Sequence, residues 1–306
     1  MKVLFAVWEL SPFFQVGGLG DVARSLPVAL YELGIDIRVI LPHYKALKLQ
    51  GQRRKLVKNI QVDYGGKKVD VAIYLIYFKE SKIPVYLLFS DDYLSIPSKE
   101  TFAFFNLTLI EILKKNFLDW QPKIIHCNDH HTGLIPLLIK HNGLNYRTIF
   151  TVHNLLHKGE SDIETVHKIG LDESKCRVLE WEIKRKRVNF LLEGLVHCDH
   201  INAVSPTYSR EILTEEYGVG LDEILRDMQY KISGILNGID YNKHNPATDK
   251  NIIYHFNHND KTKPADGKKK IYSFTEGKKL NKKFCKGKGF FLQPLLEGSP
   301  TPGYLY

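Results

Sequence analysis

Residues 3–8, Val-Leu-Phe-Ala-Val-Trp, form an apolar run of strand length that leads directly into a loop containing Gly17, Gly18 and Gly20. A helical pattern follows, marked by Val22, Leu26, Leu30 and Leu33. Strand, glycine-rich turn and helix in that order open a doubly wound nucleotide-binding fold, so the chain is expected to build an α/β domain around a mainly parallel sheet. Glycines lack a Cβ and let a backbone come close to a ligand, and the unpaired N–H groups that open a helix favour an anion. The spacing is neither the dinucleotide fingerprint nor a P-loop, and a tight turn would use the same glycines.

Downstream, residues 35–41 read as a second strand ending at Pro42. Residues 56–64 and 68–78 read as a hairpin split by Gly65-Gly66, and 85–89 as a further strand. Residues 101–118 place Phe102, Phe105, Leu109, Ile112 and Leu113 at helical spacing, which assigns these side chains to the core rather than to a ligand platform. From residue 123 a pattern recurs. Strand 123–127 is followed by Asn128-Asp129-His130-His131-Thr132-Gly133, strand 147–152 by His153-Asn154, strand 200–204 by Ser205-Pro206-Thr207-Tyr208, and strand 232–236 by Asn237-Gly238. Each polar cluster lies past the carboxyl end of a buried-type strand, the edge along which open α/β sheets bind ligands. Each also has a purely structural reading: Asn128-Asp129 and Ser205-Pro206 can start helices, and Asn237-Gly238 can make a turn.

The formal charge of +9 over 306 residues would suit a nucleic-acid partner if it were spread over the fold. It is not: residues 250–306 hold twelve lysines against Asp260, Asp266, Glu276 and Glu297, which leaves +1 for everything before them. Nucleic acid is therefore not an expected partner. Cys127, Cys176, Cys198 and Cys285 have no paired or metal-ligand spacing, and adjacent histidines after a strand (His130, His131, with His126) do not converge on an ion, so no metal is expected. No stretch reaches the roughly 18 apolar residues of a membrane span, and residues 2–8 are too short for a signal-peptide core. These features read as a cytoplasmic protein without a membrane partner.

Glu9, Pro12 and Gly17-Gly18-Leu19-Gly20-Asp21-Val22 resemble the opening motif of bacterial glycogen synthases and plant starch synthases, which reads Lys-x-Gly-Gly-Leu-x-Asp-Val; Gln15 stands at the lysine position. His126-x-x-Asp129-x-His131-Thr132-Gly133-Leu134 is similar to the family's His-x-His-Asp-Trp-x-Thr-Gly-Leu, with Asn128 and His130 replacing a histidine and the tryptophan. Thr151-Val152-His153-Asn154-Leu155 with Gly159, Val204-Ser205-Pro206-Thr207-Tyr208 with Glu211-Ile212, and residues 234–240 with 245–249 continue the likeness almost unbroken over residues 1–249. The resemblance implies a Rossmann-like domain at 1–249, the N-terminal half of a two-domain GT-B glycosyltransferase with the second domain absent. Residues 250–306 are then a Lys-rich, poorly ordered remnant of the inter-domain region.

What the resemblance implies for chemistry is retaining transfer of glucose from ADP-glucose to the non-reducing end of an α-1,4-glucan, without a metal or cofactor. It puts His153 beside the transferred glucose, Asp129 and Asn154 on sugar hydroxyls, Gly17 and Gly18 on the phosphates together with Gln15 and Asp21, and Asn237 near the donor. The family's donor-binding Arg, Lys and Glu belong to the second domain, so the chain is expected to be inactive alone or completed by a separate chain. The alternative is a non-catalytic glucan- or nucleotide-binding protein, or a truncated gene product.

Overall fold

The computed structural model describes residues 1–79, 81–172, 174, 184–238, 240, 245–249 and 255. The chain divides into two compact units, Met1–Gly238 and Ile239–Tyr306. What was expected of residues 250–306 lies outside the described residues apart from His255. In the first unit the opening run forms β1 (Lys2–Ala6), and the glycine loop leads into α1 (Leu19–Glu32). Next come β2 (Asp36–Pro42), the hairpin β3 (Lys55–Tyr64) and β4 (Lys67–Tyr77), β5 (Pro84–Phe89) and α2 (Lys99–Lys115). Ser98 starts α2 by accepting the Thr101 N–H at 3.0 Å, and Asn116 ends it in the left-handed region with φ 49°, a cap that asparagine tolerates better than most residues.

Three of the four later repeats form strands with the expected bounds or within a residue of them, and the fourth is shorter. These are β6 (Ile124–Asn128), β7 (Arg147–Val152), β10 (His200–Ala203) and β11 (Ile232–Gly234). β8 (Glu160–Asp162) and β9 (Arg187–Asn189) make a separate two-stranded ribbon for which three-residue segments give no sequence signal.

The main sheet runs β11-β10-β7-β6-β1-β2-β5-β4-β3. β11 through β5 are mutually parallel, and the β4 and β3 hairpin adds antiparallel strands at one edge. Alternation along β1 shows why both faces are covered: Leu4 and Ala6 join one buried cluster, and Val3 and Phe5 the other. Buried aromatics of α2 (Phe102, Phe104, Phe105) and the apolar residues of α3 (Leu134–His141) fill the first face, and Ala23 of α1 packs on the second. This is the expected α/β doubly wound arrangement.

The chain lays β2 and β5 on one side of β1, then crosses to lay β6, β7, β10 and β11 on the other. The strand order therefore reverses between β1 and β6, the kind of switch point past whose strand carboxyl ends open α/β sheets bind ligands. Among the described residues no helix is long and apolar enough to cross a membrane.

Candidate functional site

The loop after β1 is shaped by a residue whose role the sequence did not reveal. Glu9 is 1% exposed, and its carboxylate accepts N–H bonds from Val16 at 2.5 Å, Gly17 at 2.9 Å and Gly20 at 2.9 Å. Three amides that could have met a ligand anion are thus held by an anion of the chain itself, and the loop is preformed. The Gly17 N–H expected to face a phosphate points inward to Glu9, while Gly18 caps α1 with open space where a Cβ would project. Gln15 lies on the outside of the loop and donates through Nε2 to the Gly17 carbonyl at 3.0 Å and to Asp21 Oδ2 at 2.8 Å.

Two contacts join this loop to the one after β6. Trp8 stacks on His131 with ring centres 4.3 Å apart and planes at 10°, and Asn128 Nδ2 donates to the Ala6 carbonyl at 3.1 Å. The turn at 128–132 is closed locally: Thr132 Oγ1 accepts the Asn128 N–H at 2.6 Å and donates to the Asn128 carbonyl at 3.0 Å. From α2, the wholly buried Asn106 donates to the His131 carbonyl at 2.8 Å.

Asp129 adopts φ 53° and ψ −177°, a region that residues with a Cβ seldom occupy, and such strain persists only where surrounding bonds impose it. Here its Oδ1 accepts the His153 N–H at 2.7 Å and lies 3.5 Å from that of Asn154, tying the loop after β7 to the one after β6. Burial outweighs these bonds and the neighbouring His153, so the Asp129 carboxyl is held above its usual range. The His153 ring meets Asn128 Oδ1 through Nε2 at 3.1 Å. Asn154 Oδ1 accepts the Leu156 N–H at 2.9 Å, which fixes the amide with its NH2 group as the donor it can offer a ligand. Tyr208 extends the chain of contacts by accepting the Leu155 N–H at 3.1 Å.

Burial sets the protonation of the remaining histidines. Burial pushes His126 down to about 3, an effect to which the neighbouring His153 adds, and its Nε2 lies 2.7 Å from Thr151 Oγ1. His130 is pushed down to about 4, and His131 falls well below the ordinary value through burial and the adjacent His130. Trp8, Phe102, His130 and His131 form one aromatic cluster.

Of the residues singled out in the sequence, Asp129, His153 and Asn154 are bonded to one another, and Gln15, Gly17, Gly18 and Asp21 share one loop. Asn237 is exposed, past the carboxyl end of β11, and is not drawn into that cluster. Asn128 and Glu9 are the residues whose parts sequence reading missed. The opposite edge of the sheet carries a groove of about 490 Å³ lined by Lys114, Lys123, Tyr146 and Arg147. Lys114 is paired with Glu111 and Arg147 with Asp199, and no motif reaches it, so the carboxyl edge is the better candidate.

Comparison with known proteins identifies the family. The starch synthase catalytic domain family matches residues 2–227. Glycogen synthase of Geotalea daltonii is 39% identical over 275 residues, which is 84% of this chain and 56% of the relative. Glycogen synthase of Streptococcus pneumoniae is 33% identical over 288 residues, 89% of this chain and 59% of that protein. The catalytic domain of starch synthase IV from Arabidopsis thaliana, solved bound to ADP and acarbose, superposes with a TM-score of 0.72 at 28% identity, covering 84% of this chain and 55% of that one. The chain thus spans about half the length of the curated relatives it matches.

Proposed function

The chain belongs to the starch synthase catalytic domain family, and we propose that the carboxyl edge of its sheet is the part of an ADP-glucose:α-1,4-glucan glucosyltransferase site that this domain contributes. The observation that carries the reading is the joining of three loops at the topological switch point: the Glu9-held glycine loop, the strained Asp129 turn and the His153-Asn154 loop. A site that transfers a sugar must neutralise the departing diphosphate with groups already in place, since fixed dipoles need no reorganisation as charge develops. On this domain the open backbone at Gly18 and the amino end of α1 are suited to that task, and Asp129, His153 and Asn154 to the hexose. A second protein chain bearing complementary groups and a cytoplasmic location both fit this activity.

Gln15 and Asn128 favour a second reading, in which the domain binds the nucleotide sugar without turning it over. Each is neutral where the family motif has a lysine or a histidine. Calorimetric titration with ADP-glucose, followed by measurement of ADP released in the presence of glycogen, tests both. Binding that is lost in Gly18→Val supports the site, and ADP release then distinguishes transfer from binding alone. No heat from the unaltered chain at millimolar ADP-glucose counts against both readings.

A further inference from the structure

We infer that Asn128 is a positioning residue that fixes the tautomer of His153, with the ring proton on Nε2 and the lone pair on Nδ1. The Ala6 carbonyl can only accept, and it lies 3.1 Å from Asn128 Nδ2, so the NH2 end of the amide must face it. The other end, Oδ1, is then an acceptor and lies 3.1 Å from His153 Nε2, which must carry a hydrogen to make that contact. The amide cannot swing away. Asn128 is 1% exposed, its backbone N–H and carbonyl are both held by Thr132 Oγ1, and Ala6 sits in the middle of the sheet. The His153 main chain is pinned in turn by Asp129 at 2.7 Å.

This deepens the nucleotide-sugar reading and depends on it only for the identity of the ligand. With the hydrogen on Nε2, a neutral ring can only accept at Nδ1, so a ligand group that meets it there is a donor such as a sugar hydroxyl; a protonated ring would donate there instead.

The test is nitrogen-15 NMR of the imidazole rings in the full chain. The unaltered protein should show His153 as a single tautomer with its hydrogen on Nε2. In Asn128→Ala that hydrogen should exchange with solvent roughly tenfold faster, the scale of one lost hydrogen bond. A hydrogen on Nδ1, or a rapidly averaged pair, in the unaltered chain would overturn the inference without any variant having to fold. Equal exchange rates in the two proteins would remove Asn128 from the account. If the tautomer is found but ADP-glucose shifts no site resonance, the inference stands and the proposed ligand fails.

Discussion

At the scale of single residues the site is governed by what burial does to charge. The Glu9 carboxylate is enclosed by three amides, so Glu9→Ala leaves the buried Gly20 N–H without an acceptor and frees two part-buried ones to water, and should lower the unfolding free energy by about 2 kcal/mol, measurable by chemical denaturation. Three buried histidines set the acid limit of the fold. His126 and His130 titrate near 3 and 4 when folded and His131 is also lowered, against 6.5 for the free side chain. Their contribution is complete above pH 6.5 and is lost as pH falls below it, because the unfolded chain then takes up protons that the folded one refuses. Stability should drop by up to about 1.4 kcal/mol per pH unit for each ring between pH 6.5 and 4, and His126→Gln should reduce that slope by one proton. Asp129 acts in the opposite sense: its raised value favours the fold most below 3.8, and that contribution is lost as pH rises through the folded value. Gln15 bridges Gly17 and Asp21 without charge, so Gln15→Lys should tighten ADP-glucose by up to about 1 kcal/mol, roughly fivefold in the dissociation constant.

At the scale of elements, two glycines separate folding from binding. A Cβ on Gly133 would lie 2.0 Å from the Phe190 carbonyl oxygen, where the start of α3 is pressed against the helix Phe190–His197, and a backbone atom cannot yield as a side chain would. Gly133→Ala should therefore cost about 3 kcal/mol or more, read as a lowered melting temperature. Gly18 has helical φ −71° and open space around it, so Gly18→Ala should leave the melting temperature within a few degrees of the original. The same contrast shows what the sequence could reveal. Apolar runs such as residues 147–152 announce strands because burial on both faces demands it, and Phe102 and Phe105 are core as their spacing implies. The part of Asn128 was hidden, since it depends on Ala6 and His153, which are 122 and 25 residues away. Glu9 was legible as a motif member but not as the anion that fills the loop, because the sequence does not show where its carboxylate points.

At the scale of the whole domain, the reversal of strand order between β1 and β6 brings the loops of β1, β6 and β7 side by side, and the contacts between those loops follow from that topology. The central claim is that this carboxyl edge receives ADP-glucose. Amide-resolved NMR during titration of the labelled chain with ADP-glucose tests it most directly. The account predicts shifts concentrated at residues 17–19, Asp129, His153 and Asn154, and their disappearance in Gly18→Val; an unchanged spectrum at saturating ligand, or shifts gathered around Tyr146 and Arg147 at the opposite edge, would contradict it.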